Sequence, residues 1–267
     1  TIALWRGLAL ARDLSSTVQG FAGAVLADID WSKPWFAQWR KLGEPIAHQA
    51  LHQQNVAHAL GHVQGVTFVP QSALPEGQAY EDFIFKTAQV PTREGLHDFF
   101  NGLCWHRFPL AKRRLNQLQA AEIQTQGIRS TRGPVRDALT LFDENVVLMH
   151  APDAVWQALQ SRDWLKLFID LREQWRCVHL VLFGHALLEK LVTPYKSITA
   201  HVYRVANEID PLDESALDAW LVQDLQPAKL ATKPYEPLPV LGVPDWWPDN
   251  AERSYYEDVT VFRPKRV

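Results

Sequence analysis

The chain has 267 residues, 47% hydrophobic and 21% charged, with a net charge of −3. That length supports a substantial core, in one large domain or two small ones. The weak net charge excludes a general field for gathering nucleic acid or an anionic membrane, and two cysteines exclude a disulfide scaffold or a four-cysteine zinc site.

The opening TIALWRGLALARDL sets Arg6 and Arg12 among its apolar residues, which makes a poor signal peptide, although Thr1 is compatible with a trimmed presequence. With Cys104 and Cys177 far apart, a reducing cytoplasm is the expected location. Ser32 is placed as an N-cap, with Pro34 in the first turn. Trp31 and Phe36 stand at hydrophobic-staple spacing, and Trp35 and Trp39 lie one turn apart. A second helix is expected over Pro45 to Leu60. Val66 to Val69 predicts a strand ending at Pro70, and Tyr80 to Thr87, rich in strand formers, predicts another.

Central helices follow: Leu96 to His106, Pro109 to about Ile123, and a third opened by Pro134 and ending near Phe142. Asn145 to His150 predicts a strand, and Pro152 opens a short helix. Ser161 is placed as the cap of the next, in which Trp164, Leu167, Phe168, Leu171 and Trp175 keep helical spacing. Cys177 to Val192 is apolar but too short to span a bilayer, so a buried helix is expected. From Pro227 to Pro248 six prolines forbid regular helix, yet Leu238, Val240, Leu241, Val243, Trp246 and Trp247 are too apolar for a free linker. The tail predicts an extended strap docked over the body and ending in Tyr255, Tyr256 and Phe262. Eleven Trp and twelve Phe promise a core of large rings.

Polar residues inside this apolar sequence are the candidate site. His97, Asp98, Asn101 and His106 fall within little more than two helical turns of aromatic surroundings. Groups of that kind are either hydrogen-bonded in the interior or used for chemistry. His97 and Asn101 share a helical face, as do Asp98 and Asn101, and an imidazole beside a carboxylate serves as metal ligands or as a base and its orienter. Helix capping is the simpler account of Asp98. His185 and Glu189 are one turn apart, with Gly184 permitting close approach; Glu189 accepting from His185 would fix its tautomer. Arg136-Asp137 followed by Asp143-Glu144 offers carboxylates beside a cation, for acid–base work or for capping and ion pairing.

Three further features carry less. Neighbours in sequence on a helix point about 100° apart, so His106 would not easily activate Cys104. His48, His52, His58 and His62 form two i,i+4 pairs of the kind that bind a transition metal, or a dispersed surface face. Arg107, Lys112, Arg113, Arg114, Arg129, Arg132 and Arg136, with Glu122 the only acid, would grip an anion or form a solvated face. No nucleophile elbow, phosphate loop, Rossmann glycine pattern or H-E-x-x-H motif is present.

The runs VPTREGLHDFFNGLCWHRFPLAKRRLN, RGPVRDALTLFDEN, FGHALLEKL, PLPVLGVPDWWPDN and YYEDVTVFRP, in order from about Val69 to Pro264, resemble the proteobacterial domain-of-unknown-function family three-zero-two-five. The resemblance implies a set of positions rather than an activity. They are His97, Asp98, Asn101, Trp105, Pro109, Lys112 and Asn116, then Arg136, Asp137, Asp143 and Glu144, and finally Phe183, Gly184, His185 and Glu189. Gly95-Leu96 departs from the family's Asn-Trp, and the four early histidines lie outside its pattern.

The expected fold is α+β, mainly α: one domain with a helical part over 1–65, a family-like core over 66–226 and a strap over 227–267. The expected function is that of an acid–base or divalent-metal enzyme, of hydrolase or oxidase type. His97, Asp98, Asn101, Asp137 and Asp143 would be catalytic, Arg136 and Lys112 would bind an anion, and His97, His185 and Glu189 would hold a metal. The alternative is a scaffold binding a protein partner through the strap or the basic segment, with an anion- or nucleic-acid-binding module behind it.

Overall fold

A computed structural model describes residues 20–126 and 133–265. The opening segment, Arg129 and Arg132 lie outside them. Large rings organise the first layer. A 3-10 segment over Ala22–Asp28 and a turn over Pro34–Phe36 lead into helix α1, Ala37–Gln53. Trp31 meets Phe36 with ring centroids 5.7 Å apart, as the staple spacing predicts. Ser32 does not cap the helix; its N–H and hydroxyl both turn back to Asp30 Oδ1. Nor does Pro45 start a helix. α1 runs through it because Pro45 sits on the exposed face while Trp39, Gly43, Ala47 and Ala50 bury the other, and that stripe outweighs one missing N–H bond. Helix α2, Val56–Leu60, is capped by Asn55, whose side chain accepts from His58 N at 2.7 Å.

A small sheet follows, with β1 (His62–Val63) antiparallel to β2 (Val66–Pro70) and β2 parallel to β3 (Gln89–Thr92). Tyr80–Thr87, expected as a strand, is instead helix α3. Short aromatic runs are ambiguous between the two states. Here Glu81 and Asp82 suit the first turn, Lys86 pairs with Asp82 at 2.7 Å, and Phe83 and Ile84 are buried. The strand falls to Gln89–Thr92, whose last three residues are buried.

Helices α4 (Leu96–Arg107), α5 (Pro109–Gln126) and α6 (Pro134–Asn145) begin where the prolines and the apolar spacing place them. Strand β4 (Val146–His150) and helix α7 (Asp153–Ser161) come next. Ser161 closes α7 rather than opening its successor: its hydroxyl donates to Gln157 O at 2.8 Å, and Asp163 accepts from Lys166 N at 3.2 Å. The π turn Lys166–Asp170 and 3-10 turn Arg172–Cys177 bury Leu167, Phe168 and Trp175.

The expected buried helix over Cys177 to Val192 is corrected to strand β5 (His179–Leu182), a turn at Gly184 and helix α8 (His185–Lys190). β5 has a ladder partner in β4, with Val181 opposite Leu148, and that pairing outweighs helical propensity in a four-residue apolar run. Gly184 is fixed by crowding: a Cβ there would lie 2.4 Å from Glu144 O. The last elements are β6 (Thr199–Arg204), α9 (Glu214–Asp224), α10 (Pro227–Ala231) and β7 (Glu236–Pro239). They complete a second sheet of order β5-β4-β6-β7.

The strap is less extended than expected. Pro227 opens helix α10 rather than forbidding one, because a first turn tolerates proline; β7 follows as an edge strand, the place where a sheet tolerates Pro237 and Pro239. The rest coils into 3-10 turns over Val240–Gly242, Pro248–Ala251 and Arg253–Glu257. Leu241, Tyr256 and Phe262 join the same buried cluster as Trp39 and Phe100. The fold is mainly helical α+β, and no helix among the described residues is long and apolar enough to cross a membrane.

Candidate active site

Helices α4, α6 and α8 converge on one group of side chains. His97, in the first turn of α4, is bonded through Nδ1 to Glu189 Oε2 on α8 at 2.8 Å. His185, at the start of α8, places Nε2 3.1 Å from His97 Nε2, with the two rings nearly perpendicular at 82°. Its Nδ1 is buried without a hydrogen-bond partner, 3.7 Å from Asp143 Oδ2 on α6. A carboxylate only accepts, so Glu189 requires the proton of His97 on Nδ1 and leaves its Nε2 as a lone pair. His185 must then donate from Nε2. Glu189 serves His97 across two helices, not His185 one turn away, which corrects the pairing expected within α8. The i,i+4 spacing is real but the rings face elsewhere.

Below this pair the charges are locked. Lys112 on α5 is buried and donates to Asn101 Oδ1 at 2.8 Å and to Asp143 Oδ1 through a short bond. Its ammonium also sits 5.7 Å from the Trp105 ring. Asn101 donates in turn to the Tyr80 hydroxyl at 3.2 Å. Burial pushes the Asp143 carboxyl up, but Lys112 and the two imidazoles outweigh it and hold the group below the ordinary range. Burial dominates at His185, lowering it to about 4 although Asp143 pulls the other way, so the ring is neutral at pH 7. Beside them Glu81 is raised to about 7 by burial and then by the Asp143 charge, against its bond from Asn116 Nδ2 at 2.6 Å. Tyr80 is pushed well above the usual phenol value, first by burial and then by the surrounding carboxylates.

A polar cavity of about 440 Å³ opens over these groups. His97, Asp98, Asn101, Asp143, His185 and Arg136 all line it, and so do Glu144, Arg93 and Glu81. Asp98 lies in its wall but is saturated, accepting from Arg93 N at 2.6 Å, Nε at 3.0 Å and an Nη at 2.9 Å. That makes it an anchor for the chain entering α4. Asp137 stands outside: one residue past Arg136 on α6, it faces solvent and pairs with Lys233 at 2.6 Å. Lys112, expected to bind an anion, is already neutralised. Arg136 has no such counter-ion among the described residues, and its Nε is buried without a partner. Arg93, Tyr80 and Glu81 escaped sequence reasoning. The acidic turn of Glu81 and Asp82 followed by Lys86 at i,i+4 was the available signal that this segment is helical and carries side chains inward.

His97 and His185 are the residues that would hold a divalent ion, with Glu189 orienting rather than ligating. Two nitrogens leave a coordination sphere incomplete, and among the described residues no three His, Cys, Asp or Glu side chains form a metal-holding group. The early histidines do not form two pairs, because α2 ends at Gly61 (φ +66) and His62 turns to Thr67 Oγ1 at 3.0 Å. Cys104 is raised to about 12 by burial and donates to Phe183 O, while His106 faces Leu60 O, so the thiol has no activating base. Of the basic residues between Arg107 and Arg136, Arg107 is engaged with Glu214 and Arg114 with Leu225 O.

Comparison with known families gives one match: the family described as protein of unknown function (DUF3025) covers residues 66–266. No curated protein matches the chain, and no solved structure does. The chain belongs to this family, and the span includes every side chain of the cavity group.

Proposed function

We propose that this DUF3025 member is an acid–base enzyme that takes a proton from a small polar substrate bound in the cavity. The observation that carries the reading is the geometry of the histidine pair: a carboxylate fixes one imidazole, and both Nε2 atoms meet at the cavity wall. A substrate X–H group arriving there would replace the direct N···N bond. Its proton passes to His97 Nε2, and Glu189 stabilises the imidazolium that forms. His185, neutral, donates its Nε2–H to the negative charge left on the substrate. Asp143, held by Lys112, stands 3.7 Å behind His185, and Arg136 receives an anionic group of the substrate.

This step serves hydrolysis and carbon-acid chemistry equally. The two free thiols, one buried and one exposed, fit a reducing cytoplasm. A scaffold role has less support, because Tyr255, Tyr256 and Phe262 of the strap are buried in the core, Trp246 and Trp247 pack partly against it, and much of the basic segment is bonded internally.

Diethylpyrocarbonate tests the base directly. His97 should modify faster than the exposed His48 and His52, and Glu189→Gln should remove that advantage. A panel of activated esters, and of carbon acids followed by deuterium uptake, should then yield a turnover that falls about 100-fold or more in folded His97→Ala. His97 reacting no faster than a surface histidine, and unchanged by Glu189→Gln, would contradict the proposal.

A further inference from the structure

One face of α6 carries opposite charges at its two ends. Arg136, Thr140, Asp143 and Glu144 all line the cavity, and Asp143 is already bound to Lys112. Arg136 and Glu144 are different. Neither has an ion pair with any described residue, and the Nε of Arg136 is sealed from solvent without a partner. Other charged groups around the site are engaged elsewhere: Arg93 with Asp98, Glu189 with His97, Lys190 with Asn145. A guanidinium and a carboxylate that line a cavity without counter-ions are available to the charges of a ligand.

We infer that the cavity takes a zwitterion, its carboxylate or equivalent anion on Arg136 and its ammonium on Glu144. This rests on the reading of the cavity as a substrate site. Eight helical steps along α6 separate the two, about 12 Å along the axis, and the side chains reach inward from both ends. The gap left is that of a short carbon chain bearing a charge at each end. The acid–base pair stands at the ammonium end, since Asp143, next to Glu144, is the residue 3.7 Å from His185. The reacting atom is therefore close to the cationic group of the ligand. An anion alone would leave Glu144 unmatched in a wall that already holds Asp143 and Glu81, and a cation alone would leave Arg136 unpaired.

Calorimetric titration of the full chain with three probes of one length separates these cases: ε-aminocaproate, caproate and hexylamine. ε-Aminocaproate should bind at least about tenfold more tightly than either single-charge probe, the equivalent of one charge-assisted hydrogen bond. Arg136→Gln should reduce it to the level of hexylamine, and Glu144→Gln to the level of caproate. Equal binding of caproate and ε-aminocaproate, or binding of none of the three, would overturn the inference. Carbethoxylation of His97 in the same samples keeps the underlying reading separate. Zwitterion binding that leaves His97 unprotected would defeat the acid–base site, whereas a highly reactive His97 without zwitterion preference would defeat only the substrate class.

Discussion

The strap and the cavity floor both bury polar side chains among aromatic rings, but they satisfy them differently. In the strap, donors go to backbone carbonyls: Asn250 Nδ2 to Leu241 O and Val243 O, and the Tyr256 hydroxyl to Gly242 O and Asn250 O. On the floor, side chains bind side chains, Glu189 to His97 to His185 in one series and Asp143 to Lys112 to Asn101 to Tyr80 in another. One buried atom in each region is left without a hydrogen-bond partner, Asn250 Oδ1 in the strap and His185 Nδ1 on the floor. Backbone-satisfied polar groups fix a chain path. Titratable side chains paired with one another can exchange protons or accept a ligand, at a cost in stability.

The sharpest way to break this contrast is to remove the cation beneath the floor. Lys112→Met strands the buried Asp143 charge and should destabilise the protein by about 4 kcal/mol in urea unfolding. Gly184→Ala, which drives a methyl group into the backbone of Glu144 and Asn145, should cost about 3 kcal/mol and displace His185.

The pH dependence of stability sharpens the contrast further, because two floor groups oppose one another. His185, lowered to about 4 in the folded state, contributes stability that is present above its unfolded value of 6.5 and is lost as pH falls toward 4. Glu81, raised to about 7, contributes stability that is present below 4.5 and lost as pH rises through 7. Their contributions, each up to about 3 kcal/mol, nearly cancel between pH 4.5 and 6.5. Glu81→Gln should therefore make stability rise with pH across that window, and His185→Gln should make it fall; identical profiles in both variants would contradict the pairing. The smallest effects compare the two regions directly. Tyr256→Phe should cost about 1 kcal/mol and leave His97 reactivity intact, while His97→Gln should change stability by no more than about 0.5 kcal/mol and abolish that reactivity.

Much of the site was legible in the sequence because its members stand out as polar residues in apolar helices: His97, Asn101, Asp143, His185 and Glu189 all reach one place. What the sequence hid was partnership. Helical spacing pairs Glu189 with His185, yet tertiary packing of α4 on α8 gives it to His97. Arg136 and Asp137 are neighbours that turn to opposite sides, one to the cavity and one to Lys233. Two of the misread elements share one cause. Tyr80–Thr87 and His179–Leu182 are short apolar runs without a decisive period, and their state is set by their surroundings: available ladder partners for β5, inward Phe83 and Ile84 for α3.

The central claim is the protonation pattern of the two imidazoles, and long-range nitrogen–proton NMR of the histidine rings measures it directly. The account predicts His97 as the Nδ1–H tautomer with a bare Nε2, and His185 as a neutral Nε2–H tautomer at pH 7 that stays neutral to below pH 5. Glu189→Gln should change the His97 pattern alone. His97 protonated on Nε2, or His185 cationic at pH 7, would contradict it.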